Sequence, residues 1–429
     1  MTTEKDRLLE NVFESVRAYC ANAHNYSFDT TNPIVRLHEP TFSAGEINSA
    51  LECLLSTQVT MGKKVKTFER SFADLHEFKH GVMVNSGSSA NLLAVTALTN
   101  KETPDHLVPG DEVIVPALCW STTVWPLVQN GLIPIIVDID PLTLNIDPNE
   151  VERAIGPKTR GVMAVPVYGN PCDMDALVTI CAQNQLTLIE DCCEALGARY
   201  GSKPVGKFGR VGTFSFYYSH HMTTLEGGMC VSDDTTLAEN MRIIRAHGWI
   251  REVEDPQVWT TQYPDIDPKF LFVNTGYNLR PTELQGAIGN VQLTKLDNFV
   301  QTRRKNAAYF RRELDAYADT LVFQEETPKS QHSWFGFPLC VRQHAPFKVA
   351  DIRMFLKKQA IETRPIICGN IARQPGMKLY EHRIVGNLHC ADYVMERGFS
   401  FGNHQAIDDC AREYVVGAIK NFFDSGMGA

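Results

Sequence analysis

Residues 209–228 read GRVGTFSFYYSHHMTTLEGG: a short apolar strand at Thr213-Phe214-Ser215-Phe216, a polar turn carrying His220 and His221, then Glu226-Gly227-Gly228. An imidazole in such a turn can take or give a proton near neutral pH. The lysines flanking it are Lys207 and Lys269, so no side-chain amine stands close to the turn in sequence. Working upstream, strand and helix patterns alternate. A buried strand at 82–84 precedes a helix at 90–98, and 113–115 precedes one at 121–129. The strand patterns at 134–138 and 161–166 are followed by helices near 149–155 and 173–184, and 186–190 completes the series. This alternation argues an α/β fold, a mostly parallel sheet flanked by helices on both faces. Sites on such sheets lie beyond the carboxyl ends of the strands.

Three strand ends carry candidate chemistry. Asn85-Ser86-Gly87-Ser88-Ser89-Ala90-Asn91 is a glycine turn at a helix amino terminus, where free N–H groups and the helix dipole favour a phosphate; a plain helix cap reads equally well. Leu188-Ile189-Glu190-Asp191-Cys192-Cys193-Glu194-Ala195 is a buried strand ending in carboxylates, and a lone aspartate there is usually a cap. Val115 to Thr123 carries Trp120, for which core packing is the bland alternative. A fourth pattern, His76-Glu77-Phe78-Lys79-His80, spells H-E-x-x-H. The helix is expected to stop near Lys79 and Gly81, so the two imidazoles would not share a face, and no metal site is expected.

At 429 residues, 44% hydrophobic and 21% charged, the chain is long enough for two domains. A net charge of -9 gives no electrostatic reason to expect nucleic-acid binding. Lys63-Lys64-Lys66 and Arg303-Arg304-Lys305 read as solvated helix faces, or otherwise as contacts for a diphosphate. MTTEKDRLLENVF lacks the apolar core of a secretory signal, and no run approaches the roughly 20 apolar residues a membrane helix needs. The twelve cysteines, none spaced C-x-x-C, are expected to be reduced thiols of a cytoplasmic protein. Expected domains are a helical extension at 1–38, a large α/β domain at 39–285 and a smaller α+β domain at 286–429, entered along one helical pattern from Thr282 to Tyr317.

From Ser215-Phe216 to His220, and through the motifs above, the chain resembles the DegT/DnrJ sugar-nucleotide enzymes. These share the fold-type I aminotransferase fold and use pyridoxal 5′-phosphate (PLP). Their pattern is Ser-Phe, three residues, then the lysine that bonds the coenzyme; His220 stands in the lysine's place. The resemblance assigns Gly87, Ser88, Ser89 and Ser215 to the coenzyme phosphate, Trp120 to the pyridine face, Asp191 to the pyridine nitrogen and Glu194 to the ring hydroxyl. Asn278 is implied to reach the phosphate of a neighbouring subunit, in a homodimer with shared active sites. His247, Trp249, Arg364 and His404 are candidates for the sugar or nucleotide, or could be structural.

The stretches Trp120-Ser121-Thr122-Thr123, Ser219-His220-His221, Arg245 to Trp249, Tyr277 to Pro281, Ser333 to Phe337, Arg364-Pro365-Ile366 and Phe401 to Gln405 are most similar to the 3-dehydratases of this family. What that implies is removal of the C3 hydroxyl from a nucleotide-linked 4-keto-6-deoxyhexose, GDP-4-keto-6-deoxy-D-mannose before others, in deoxysugar and lipopolysaccharide synthesis. PLP, pyridoxamine 5′-phosphate (PMP) and L-glutamate as amino donor come with it, with His220 as acid and base. A sister branch also carries the histidine but adds a cysteine-rich insert for an iron-sulfur cluster; 248–270 holds no cysteine, so no cluster is expected. An aminotransferase lacking its lysine is the alternative activity, and a coenzyme-bound regulator or scaffold the non-enzymatic one.

Overall fold

A computed structural model describes residues 3–427. Helix α1 (Glu4–Ala23) starts in a capping box between Thr3 and Asp6, and α2 (Ala44–Ser56) in one between Ser43 and Glu46. Helix α3 (Lys63–Leu75) begins at Gly62, which has no side chain to cap it. The carboxylate of Glu283 does so from 221 residues further on, accepting from Gly62 N at 2.7 Å and Lys64 N at 2.6 Å. That cap also suits the positive end of the helix dipole.

The alternation then follows as β1 (His80–Val84), α4 (Gly87–Leu98), β2 (Glu112–Pro116), α5 (Ser121–Gln129), β3 (Ile133–Val137), α6 (Pro148–Ala154), β4 (Thr159–Ala164), α7 (Met174–Asn184) and β5 (Thr187–Asp191). Two-residue β6 (Arg199–Tyr200) and β7 (Lys203–Pro204) lead to β8 (Val211–Ser215), β9 (Gly228–Ser232) and α8 (Thr235–Arg245). A short α9 (Gln257–Gln262) precedes α10 (Glu283–Leu293) and α11 (Leu296–Leu314). After these come β10 (Leu321–Phe323), β11 (Ser330–Gln331), β12 (Phe337–Val341), α12 (Val349–Lys358), β13 (Thr363–Arg364), β14 (Arg383–Ile384), α13 (His389–Arg397), β15 (Gly398–Phe401) and α14 (Asp409–Phe422).

Eight strands form one sheet in the order β1-β9-β8-β5-β4-β2-β3-β14. Only β9 is antiparallel to its neighbours. Its strands are buried almost throughout, as expected where helices cover both faces. Glu190 breaks that apolar rule. Its carboxylate is fully buried and accepts from Gly206 N, Phe208 N and Gly209 N at 2.7, 2.7 and 2.6 Å, which folds the turn entering β8. Burial pushes this carboxyl up to about 6 against the pull of those N–H groups.

The second sheet, β10-β12-β15-β13, is antiparallel and packs with α11, α12 and α14 around Phe310, Phe337, Phe399 and Phe422. Three features differ from the sequence expectation. The helical pattern from Thr282 to Tyr317 is two helices, broken at Thr294-Lys295; α10 packs on α2 and α3, so a boundary at 285 falls inside an element of the large domain. The C-terminal part is not one block, because β14 returns to the large sheet beside β3 and Met377, Leu388, Ala391 and Val394 join its core. The extension is a helix only as far as Ala23; Val35, beyond it, sits in the core of the second sheet.

Helix α3 ends at Leu75, so H-E-x-x-H is not helical. His76 is buried against Phe72, with its Nδ1 on Phe72 O at 3.0 Å, while His80 opens β1 with its Nε2 on Thr235 Oγ1. The twelve cysteines are free thiols. Among the described residues, no helix is long and apolar enough to cross a membrane.

Glu190→Gln sets an amide NH₂ against N–H donors that now meet an acceptor. It is expected to cost about 1–3 kcal/mol, read as a lower midpoint of thermal or urea unfolding; an unchanged midpoint would remove Glu190 from the framework.

Candidate active site

The carboxyl ends of β1, β2, β5 and β8 open onto one cavity of about 300 Å³. At one end stands the first turn of α4. Ser86 caps it, its Oγ accepting from Ser89 N at 3.1 Å. Gly87 is required by close approach: a Cβ there would lie 2.4 Å from Ser215 Cβ, so only glycine lets the end of β8 meet this helix terminus. Ser88 Oγ is 3.1 Å from Thr122 Oγ1, which ties the turn to α5. First-turn N–H groups lack intrahelical partners, and the dipole adds positive potential. Gly87, Ser88 and Ser215 could therefore hold an anion between them.

Asp191, last in β5, is buried. Asn91 Nδ2 and Thr123 Oγ1 donate to its Oδ2 at 2.8 and 2.7 Å, and Cys193 N donates to Oδ1 at 3.3 Å. Donors from α4 and α5 thus fix a carboxylate on the cavity floor. Trp120 borders the same space with its side chain 57% exposed, which excludes core packing as the reason for an indole there. Glu194 lines the wall, and its Oε2 accepts from Tyr168 N at 3.0 Å. Burial raises its carboxyl, opposed by the Arg364 guanidinium.

His220 faces this cavity from the turn after β8. Its Nδ1 is buried without a hydrogen-bond partner. Its ring lies 5.1 Å from that of Phe335. Burial pushes it down to about 3, helped by the charge of Arg364 and then by His38 and Arg303, so at neutral pH the ring is a free base. Its neighbour His221 is fully buried and spends its Nε2 on Ser333 O at 3.0 Å, a packing role. Arg364 closes the far side, its guanidinium 5.3 and 5.6 Å from the Phe335 and Tyr168 rings.

Eight sequence candidates border the cavity: Gly87, Ser88, Trp120, Asp191, Glu194, Ser215, His220 and Arg364. Five do not. Ser89 turns back to Ser86 Oγ at 3.0 Å. Asn278 and His247 meet Arg280 on a separate surface, where Arg280 Nε donates to Asn278 Oδ1 at 3.0 Å and its other nitrogen lies 3.3 Å from His247 Nε2. Trp249 stacks on Phe272 beside them. His404 is buried on Arg36 O, because the segment before α2 covers it. Asn91, Thr122, Thr123 and Phe335 join the site although none stands out in the sequence. Asn91 had one available signal, falling one helical turn after Gly87 on the cavity side.

The donor set suits PLP: a helix terminus that only glycine permits at the phosphate end, a fixed carboxylate for a ring nitrogen, an exposed indole for a ring face. The model of the DegT/DnrJ/EryC1/StrS aminotransferase family matches residues 40–420. The chain belongs to this family. GDP-4-keto-6-deoxy-D-mannose 3-dehydratase of Yersinia pseudotuberculosis is 42% identical over 373 residues, 86% of this chain and 94% of that one. Lipopolysaccharide biosynthesis protein RfbH of Salmonella typhimurium is 33% identical over 97% of this chain and 98% of its own. Among solved structures, a GDP-4-keto-6-deoxymannose-3-dehydratase with a trapped PLP-glutamate geminal diamine superposes with a TM-score of 0.82, at 37% identity, over 89% of this chain and 99% of the other.

His221, His332 and His404 are buried and held below the ordinary imidazole value, by burial first and then by guanidinium charge. Unfolded, each takes up a proton near pH 6.5, so stability present above that value is lost as pH falls below it. The expected slope is at most about 1.4 kcal/mol per pH unit for each such imidazole. Urea midpoints at pH 7, 6 and 5 should fall; equal midpoints would contradict neutral buried rings.

Proposed function

We propose that the chain is a PLP- and PMP-dependent 3-dehydratase that removes the C3 hydroxyl of a nucleotide-linked 4-keto-6-deoxyhexose, GDP-4-keto-6-deoxy-D-mannose by its relatives' names. One observation carries this reading. The residue facing the cavity where the family has its lysine is His220, neutral and with an unpartnered nitrogen, and no lysine lines the cavity.

Bound, PLP and its amine PMP, regenerated with L-glutamate, supply an electron sink for elimination next to the sugar ketone. Gly87, Ser88 and Ser215 would hold the phosphate, Asp191 the ring nitrogen and Trp120 the ring face. Asp191 cannot swing away, since Asn91 and Thr123 grip the same oxygen. His220 cannot bond an aldehyde carbon as an amine does, so it leaves the coenzyme untethered. As a free base it would take a proton from the amine-bearing carbon of the coenzyme and pass the same proton to the C3 oxygen, so that the hydroxyl leaves as water with no net proton consumed. Glutamate carboxylate or sugar diphosphate entering near Arg364 offsets the guanidinium charge and brings the imidazole closer to working pH. An amine at this position would instead favour delivery of the amino group to the sugar, the reaction of an aminotransferase.

We further propose that Asn278, exposed beside His247 and Trp249, serves the phosphate of a second subunit in a homodimer, and that the enzyme works in the cytoplasm.

Purified protein given L-glutamate and GDP-, CDP- or dTDP-linked 4-keto-6-deoxy sugars is expected to release ammonia and a sugar lighter by its C3 oxygen, by mass spectrometry; a stable amino sugar would sink the dehydratase reading. His220→Asn should lower turnover by about 10²–10⁴-fold while leaving coenzyme absorbance in place. His220→Lys should bond the coenzyme, with a visible absorbance shift, and dehydrate poorly; parental dehydration would remove His220 as the base.

A further inference from the structure

The segment joining α1 to α2 is pinned on both sides of His38. Val35 N donates to Ala360 O at 3.0 Å, Glu362 N to Val35 O at 2.9 Å, and Leu37 N to Glu362 Oε2 at 2.9 Å. Past His38, Glu39 O and Thr41 Oγ1 both accept from Gln405 Nε2 at 3.2 Å. Arg36 O takes His404 Nε2 at 3.1 Å and runs so close to Gly402 that a Cβ there would stand 2.2 Å from it. The main chain at His38 is therefore fixed.

Its ring is not. Neither nitrogen of His38 has a hydrogen-bond partner among the described residues, although the ring is half-buried, 6.1 Å from Phe335 and 6.0 Å from Tyr218. Phe335 and Arg364 line the cavity, and His220 lies 5.1 Å across the Phe335 ring. An imidazole on a pinned main chain, packed beside the cavity-lining Phe335 and with both ring nitrogens unpaired among the described residues, has its hydrogen-bonding groups free for a ligand.

We propose that His38 is a specificity-determining residue that hydrogen-bonds a hydroxyl of the sugar entering this cavity. The inference rests on the sugar-nucleotide reading above and names the side chain that meets the sugar. The ligand's chemistry follows from charge. Burial, then the guanidiniums of Arg364 and Arg303, push His38 down to about 3, so the ring is neutral. A neutral imidazole offers one donor and one acceptor, the complement of an alcohol, whereas an anion is better met by Arg364. The charged and titratable groups around His38 are Arg364 from β13, Arg303 from α11, His220 and Tyr218 from the turn after β8, His404 beyond β15, and Glu39 beside it in the segment.

The test uses the full chain with its coenzyme and GDP-4-keto-6-deoxy-D-mannose, binding being measured by titration calorimetry beside turnover. His38→Phe, which keeps the ring and loses the hydrogen bond, should weaken sugar-nucleotide binding by about tenfold, and His38→Gln, which keeps a donor and an acceptor, by about threefold or less. Conversion of the coenzyme by glutamate alone, followed by absorbance, should be unchanged in both. A His38→Phe protein that binds the sugar nucleotide like the parent, or that loses the glutamate reaction equally, overturns the inference. Parent protein that binds the sugar nucleotide but returns an amino sugar sinks the dehydratase reading and leaves the binding comparison intact.

Discussion

The arrangement of the site depends on one buried charge. Arg303 in α11 is 2% exposed, and its partners among the described residues are the carbonyls of Trp334, Phe335 and Asn403 and the amide of Gln405, none of them a carboxylate. Desolvation pushes its guanidinium down to about 9. Burying an ion without a counter-ion costs several kcal/mol unless charge-assisted hydrogen bonds offset it. Here they also hold the 333–335 turn, where Trp334 lies in the left-handed region at φ 52° and faces Tyr168 at φ 57°. Phe335 N donates to Tyr168 O at 2.7 Å and Ser333 N to Gly169 O at 3.0 Å, so the two strained residues brace each other. Such conformations persist only when surroundings over-determine them. What this clamp delivers is the Phe335 ring, in contact with His220, His221, His38 and Arg364 together.

Electrostatics then follows from placement. Two guanidiniums, Arg303 and Arg364, stand among the imidazoles of His38, His220, His221 and His404, and all four are held neutral. Of the carboxyl groups lining the cavity, Asp191 and Glu194 lie on the β5 side, and Glu226 comes from the turn between β8 and β9. One side thus offers fixed acceptors for a cationic ring, the other cationic and neutral donors for substrate anions and hydroxyls. An amine in place of His220 would add a third cation or a covalent tether, and either would change what the pocket can hold.

Much of this was legible in the sequence because it is local. Strand and helix alternation shows in apolar runs of five residues punctuated by caps, and Gly87, Asp191, Ser215 and His220 each sit within a residue or a turn of a strand end. What was not legible depends on distant packing. The break at Thr294-Lys295 carries neither proline nor glycine, so periodicity ran through it. Strand β14 is two residues long and owes its place to pairing with β3. His404 read as a site residue from its motif, but its partner, Arg36 O, comes from the other end of the chain. Phe335 stands inside a motif without a signal of its own; its role arises from the turn that Arg303 folds.

The division of labour between the two ends of the chain has a physical basis. Groups that act on the coenzyme must keep their geometry through every turnover, and they stand on strand ends and first helical turns, where the main chain is fully bonded. Groups that meet the sugar can vary without disturbing that frame if they come from elsewhere. Arg364 is on a two-residue edge strand of the second sheet, and His38 on a segment between α1 and α2 held by six hydrogen bonds to residues 360–405. Replacing the His38 side chain itself alters no strand pairing and no helix cap. On the role proposed for His38, the same large sheet keeps its chemistry while the segment before α2 tunes which hydroxyl pattern is admitted.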